Sequence, residues 1–171
     1  MEKKYQLRKD LIKVVNGKTL YRIEALKTFT TIKKGDLGGF IEHEGNLSHK
    51  GSCWIFDDAC AFDEAQIKDD ANIFNNAMVY GNAIIEDYAD VQDNAQVFGD
   101  ANLKDDVMVY DNACVSGKAK INNDVSVYDE AQVKGKAKLS GTLSIGGKTK
   151  ISGKVQLNGR SVIKNAIMTC A

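Results

Sequence analysis

Lys118, Lys136 and Lys154 recur at intervals of 18 residues, and each follows a glycine: Gly117, Gly135 or Gly153. Lys120 and Lys138 repeat the spacing two positions on, within Gly117-Lys118-Ala119-Lys120 and Gly135-Lys136-Ala137-Lys138. Ammonium groups gathered this way can pair the oxygens of an anion, while glycine lets that anion approach backbone N–H groups. Crowding them costs on the order of 1 kcal/mol per neighbouring pair in water, which splayed lysines reduce. The same cluster serves equally as a solubilising basic end. Gly81-Asn82 and Gly99-Asp100 continue the column toward the N-terminus without the positive charge.

Other residues with chemical potential are sparse. His43 and His49 are the two candidates for a general base. Cys53, Cys60, Cys114 and Cys170 contain no Cys-x-x-Cys spacing, so they offer no metal set, and free thiols are expected. Asp69, Asp87 and Asp105 recur beside Asp70, Asp106 and Asp124, a carboxylate stack of the kind that binds calcium. Turn formation already accounts for half of them, so no metal and no cofactor is assigned. Asn76, Asn94 and Asn112 form a further column, suited to an amide ladder.

These spacings belong to a clock of six. From Ile55 to Ile163, eighteen of nineteen positions taken every sixth residue are Val, Ile or Leu. Two residues before each lies a small register in which alanine fills twelve of nineteen positions, and two residues after each lies Asp, Asn or Gly without exception. The last register holds the residues that tolerate positive φ or bond their own turn, so each hexad is a short strand ending in a corner. A 3.6-residue helical period cannot keep the registers apart. Three hexads close an 18-residue triangular coil, and nineteen make about six coils, a prism on the order of 30 Å long.

The pattern resembles the hexapeptide-repeat family, whose motif is an aliphatic residue followed four positions later by a small one, as in Val97 then Ala101 or Val115 then Ala119. The resemblance implies an all-β, left-handed parallel β-helix, and it covers residues 53–165 without a break. It also implies CoA-dependent acyltransfer with a histidine base, usually on a prism interrupted by a loop. Both histidines here precede the regular coils and no loop interrupts them. His49 falls where the aliphatic clock places an inward residue. The γ-class carbonic anhydrases of the same fold need three histidines, one more than this chain has.

Three segments are expected: residues 1–46 as an N-terminal β cap and lead-in, 47–166 as the β-helix, and 167–171 as a tail. Leu11–Val15, Asn16-Gly17 and Lys18–Ile23 read as a hairpin, because Asn-Gly suits a type I′ turn. Ile41 and Leu47 fall in the small register. The run Asn46-Leu47-Ser48-His49-Lys50-Gly51-Ser52-Cys53-Trp54-Ile55-Phe56 resembles the helix start of YdcK-like proteins, bacterial and phage β-helix proteins classed as transferases by fold.

Residues 18 apart stack, so the outward position after each aliphatic residue divides into three faces. The first carries Phe56, Phe74, Tyr110 and Tyr128, the second Phe62, Tyr80 and Phe98, and the third no aromatic. Such ladders stabilise a sheet by roughly 0.2–1 kcal/mol per pair, and an exposed apolar strip also marks an interface. A parallel homotrimer packed around these two faces is expected. The glycine–lysine edge borders the second face and would then line a groove between protomers. Net charge is zero, yet residues 57–112 hold 14 acidic and 2 basic side chains, and 113–171 hold 3 and 10.

No stretch reaches the roughly 20 apolar residues of a membrane span, and the first ten residues lack the apolar run of a signal peptide. A cytoplasmic protein with neither a membrane nor DNA as partner is expected. Three functions fit. The first is a phage-derived, non-catalytic protein that sequesters a small anionic ligand such as a nucleotide, using the five lysines. The others are an acyltransferase with His43 or His49 as base, and a structural or assembly protein without a ligand.

Overall fold

The structure, a computed structural model, describes residues 2–171. All nineteen corner residues have positive φ, from 52° at Asp57 to 113° at Gly159. Each corner turns the chain, and the strand pairs that follow stack in parallel at an offset of 18: Asn72 on Asp90 on Met108, and Ile73 on Val91 on Val109. The chain is therefore a parallel β-helix with three faces. Every aliphatic position from Ile55 to Ile151 is 0% exposed, and the alanines between them fill the narrow corners of the triangle.

The coils number about seven rather than six. Phe40-Ile41 stacks on Cys60-Ala61, Leu47 bridges Ile67, and Ile167–Cys170 stacks on Lys150–Gly153, so both ends extend the regular repeat. Two registers also slip. Ile41 pairs Ala61 and Leu47 pairs Ile67 at an offset of twenty, which puts Ile41 and Leu47 in the aliphatic register instead of the small one. The two extra residues lie in the corner around Ser48–Ser52, and His49 sits there, on the corner, not among the inward residues. At the other end Lys150 pairs Ile167, one residue short of a full coil.

The N-terminal end is sealed. Strands β1 (Tyr5–Val15), β2 (Lys18–Ala25) and β3 (Leu37–Ile41) continue the second face beyond the first coil. The hairpin is longer than its sequence suggests, but turns at Asn16 (φ 51°) and Gly17 (φ 78°) as a type I′ turn requires. Tyr5, Ile23, Ala25 and Trp54 close over the core, with Phe29 edge-on to Trp54 at 5.4 Å. In β1, Arg8 pairs Arg22 and Ile12 pairs Tyr21, leaving Lys9–Leu11 as a bulge where Arg8 grips Asp10 through two bonds of 2.9 and 2.7 Å. A charged bulge blunts the free edge of the sheet. At the C-terminal end no such cover exists among the described residues, and Leu157, Ile163 and Met168 are only half-buried.

The glycine corners are held by space as well as by φ. A Cβ on Gly117 (φ 72°) would lie 2.8 Å from the backbone nitrogen of Gly135, whereas one on Gly17 meets nothing within 4 Å. Gly117→Ala should therefore cost about 2–3 kcal/mol and Gly17→Ala about 1 kcal/mol, read from urea unfolding midpoints. Equal costs would show that neighbouring coils do not constrain the corner.

Candidate anion site

Seven of the ten Asp and Asn corners that have a coil after them satisfy it through the side chain. The carboxylate of Asp105 accepts from the N–H of Asn123 at 2.9 Å, that of Asp111 from Asp129 at 3.0 Å, and that of Asp129 from Gly147 at 2.8 Å. The corner between the second and third faces differs, because glycine stacks on glycine from Gly81 to Gly153. Here the coils close up, and the N–H groups of Asp100, Lys118 and Lys136 donate to the carbonyls of Gly117, Gly135 and Gly153 at 2.6, 2.6 and 2.7 Å. The lysine N–H groups are thus consumed. Those of Gly99, Gly117 and Gly135 have no acceptor among the described residues, as is also true of Asp87 and Asp105 on the acidic column, and here the preceding glycine has no side chain that could supply one. The result is a row of free backbone donors.

Lys118, Lys136 and Lys154 flank that row and all three are exposed. Lys118 also lies 3.9 Å from Asp100, the last acidic residue of the column. Lys120 and Lys138 pair across adjacent coils on the third face, with Lys104 nearby, on a shallow depression of about 550 Å³ that Asn102, Asn122 and Gln156 complete. The five lysines therefore fall into a corner row of three and a face pair, wrapped around one edge. Lys134 and Lys150, exposed on the second face, extend the basic band, and no acidic residue follows Glu130. Neither was singled out from sequence, although Lys134 stands in the second-face column directly after Ser116.

The aromatic ladders form as expected, with ring centroids 4.6 Å apart for Phe56–Phe74, 4.9 and 4.8 Å for Phe62–Tyr80–Phe98, and 5.3 Å for Tyr110–Tyr128. Phe62 is withdrawn from any interface: it is 1% exposed, covered by Leu20 and Phe40 of the cap. Phe56, Phe74, Tyr80, Phe98, Tyr110 and Tyr128 stay half-exposed. Gly146 leaves room for the Tyr128 ring, over which Lys164 lies at 5.2 Å. The second-face ladder ends at Phe98, so the basic band begins where the aromatic strip stops and runs beside Ser116, Lys134 and Ser152.

Both histidines are engaged. His43 Nδ1 accepts from the N–H of Gly45 at 3.1 Å, so its Nε2 carries the proton, directed at the carbonyl of Asp63 at 2.9 Å. His49 stacks on Tyr5 at 4.3 Å and its Nδ1 accepts from the N–H of Lys4 at 3.2 Å. Its Nε2 then also bears the proton, 3.7 Å from the Glu44 carboxylate. In neither neutral ring is the lone pair free to take a proton from a substrate. Lys3 holds the Glu44 carboxyl below the usual carboxylate range. No cluster of three or more His, Cys, Asp or Glu able to hold a metal occurs among the described residues, and all four cysteines are free thiols. No described helix is long and apolar enough to cross a membrane.

Neither a scan against protein-family models nor a search of the curated proteins finds a match.

Burial lowers the pKa of His49, with the Glu44 charge opposing the shift. The unfolded chain then binds more protons than the folded one below the ordinary histidine value of about 6.5, so stability is full above that pH and falls below it. Urea unfolding between pH about 7 and 5 should show this loss, and His49→Gln should flatten it. An unchanged slope in the variant would assign the acid sensitivity elsewhere.

Proposed function

We propose that this protein is a non-catalytic binding protein that holds a small anionic ligand of the nucleotide type on the edge carrying Lys118, Lys120, Lys136, Lys138 and Lys154. The observation that carries this reading is the row of free N–H groups at Gly99, Gly117 and Gly135, flanked by lysines. An oxygen of a phosphate accepts from such a donor as the carboxylates of the other corners do, and the ammonium groups supply opposite charge. Sequestration rather than turnover follows from the engagement of both imidazoles. A phage origin fits the same reading through the resemblance to YdcK-like proteins.

A homotrimer is part of the proposal. Phe74, Tyr110 and Tyr128 on one face and Tyr80 and Phe98 on the next are half-exposed, and threefold packing about the shared corner would cover both strips. Each basic band would then lie at the rim of an inter-protomer groove, where partial desolvation strengthens its pairing with an anion.

Calorimetric titration with mono- and oligonucleotides tests the site. The Lys118→Gln, Lys136→Gln, Lys154→Gln triple variant should bind at least about tenfold more weakly, with a shallower dependence on salt. Unchanged affinity would refute the edge as the site, and no binding to wild type would leave an assembly role as the better reading. Light scattering after size exclusion should give three copies; a monomer at micromolar concentration would remove the groove while leaving the edge in place.

A further inference from the structure

The slipped corner near the N-terminus encloses a pair of reactive side chains that the anion site does not use. Lys4 is 1% exposed and Cys53 0% exposed. The Lys4 Nζ donates to the carbonyls of Cys53 at 2.8 Å and Gly51 at 3.3 Å, and stands 3.3 Å from the Cys53 Sγ. The other neighbours of that sulfur are the carbonyl oxygens of Ser48, Lys50 and Ile67, which are inert toward oxidised sulfur. No disulfide exists, and Cys53 has no thiol in contact to resolve an oxidised form. The one nucleophile against it is an amine. Burial pushes the Lys4 pKa down and favours the free amine that the bridge requires, while it pushes the Cys53 pKa up and keeps that group a thiol until it is oxidised.

The geometry points to a redox modification site, at which an oxidant of the peroxide class joins Cys53 to Lys4 through one bridging oxygen. In a first step hydrogen peroxide transfers an oxygen to the thiol, giving a sulfenic acid and one water; the sulfur loses an electron pair and the peroxide O–O bond breaks. In a second step the sulfenic oxygen bonds to the Lys4 nitrogen. One N–H and the S–O–H hydrogen leave, a second peroxide accepts the electron pair, and two waters form. The product is Cys53 Sγ–O–Nζ Lys4, and two equivalents of a dithiol reverse it to thiol, amine and water. The bridge ties the first residues of β1 to the first regular coil, closing a loop of 49 residues in sequence separation. It therefore fastens the cap that seals the prism.

Peptide mapping of the full chain tests this without any variant. After treatment with hydrogen peroxide and digestion without reductant, a linked pair should join the Lys4 and Cys53 peptides. Its mass should exceed the sum of the two by one oxygen less two hydrogens, and dithiothreitol should release it. The oxidised protein should melt several degrees higher than the reduced one, a difference lost on reduction. Lys4→Met should abolish the link and let Cys53 proceed to sulfinic acid. Recovery of wild-type Cys53 as free thiol, or as sulfinic or sulfonic acid with Lys4 unlinked, would overturn the assignment.

Discussion

One backbone constraint governs this molecule: every sixth residue must hold a positive φ, a conformation costly for most side chains and natural to glycine, asparagine and aspartate. Meeting it nineteen times narrows the corner alphabet to three letters, and the choice among them decides what the surface does. Aspartate can spend its carboxylate on the next coil, as Asp105 does for Asn123, and such a corner is both satisfied and acidic. Glycine gives nothing to the next coil. It lets the backbones close to 2.6 Å contacts and leaves N–H groups without acceptors. The acidic and basic halves of the prism and its candidate site thus descend from one conformational requirement.

The fold was legible because the repeat is a direct image of the geometry. Period six with an inward aliphatic, a small partner and an αL corner has one economical solution, and residues 53–165 adopt it. The errors lie where the clock is interrupted. A corner can take two extra residues without disturbing the coil beneath it, so counting back from Ile55 placed Ile41 and Leu47 one register away from where they stack. The same slip misassigned His49. At the far end the coil loses a residue, and Met168 rather than residue 169 stacks on Ile151. Corners absorb such changes because they carry no inward side chain, so an added or missing residue there leaves the stacked aliphatic positions on either side in place.

The site was half legible. Glycine followed by lysine every 18 residues marks a basic edge from spacing alone, and the structure keeps it together. Which backbone donors are free was hidden, because it depends on whether the preceding corner residue reaches forward, a relation between coils that no local motif expresses. The aromatic strip shows the reverse case. Its stacking follows from the column arithmetic, but the loss of Phe62 under Leu20 and Phe40 required knowing how far the hairpin folds back over the second face.

The two ends of the prism are unlike among the described residues: Tyr5, Ile23 and Trp54 are fully buried at one, and Leu157, Ile163 and Met168 are half-buried at the other. Each coil touches only the one above and the one below, so the molecule behaves as a one-dimensional stack whose strength is a sum of neighbouring contacts. Resistance to opening is then uneven along the stack, being greatest at the cap, where contacts from β1 and β2 add to those between coils. The free donors at Gly99, Gly117 and Gly135 lie on successive coils away from that cap, so an anion bridging them would act as a clasp between successive turns.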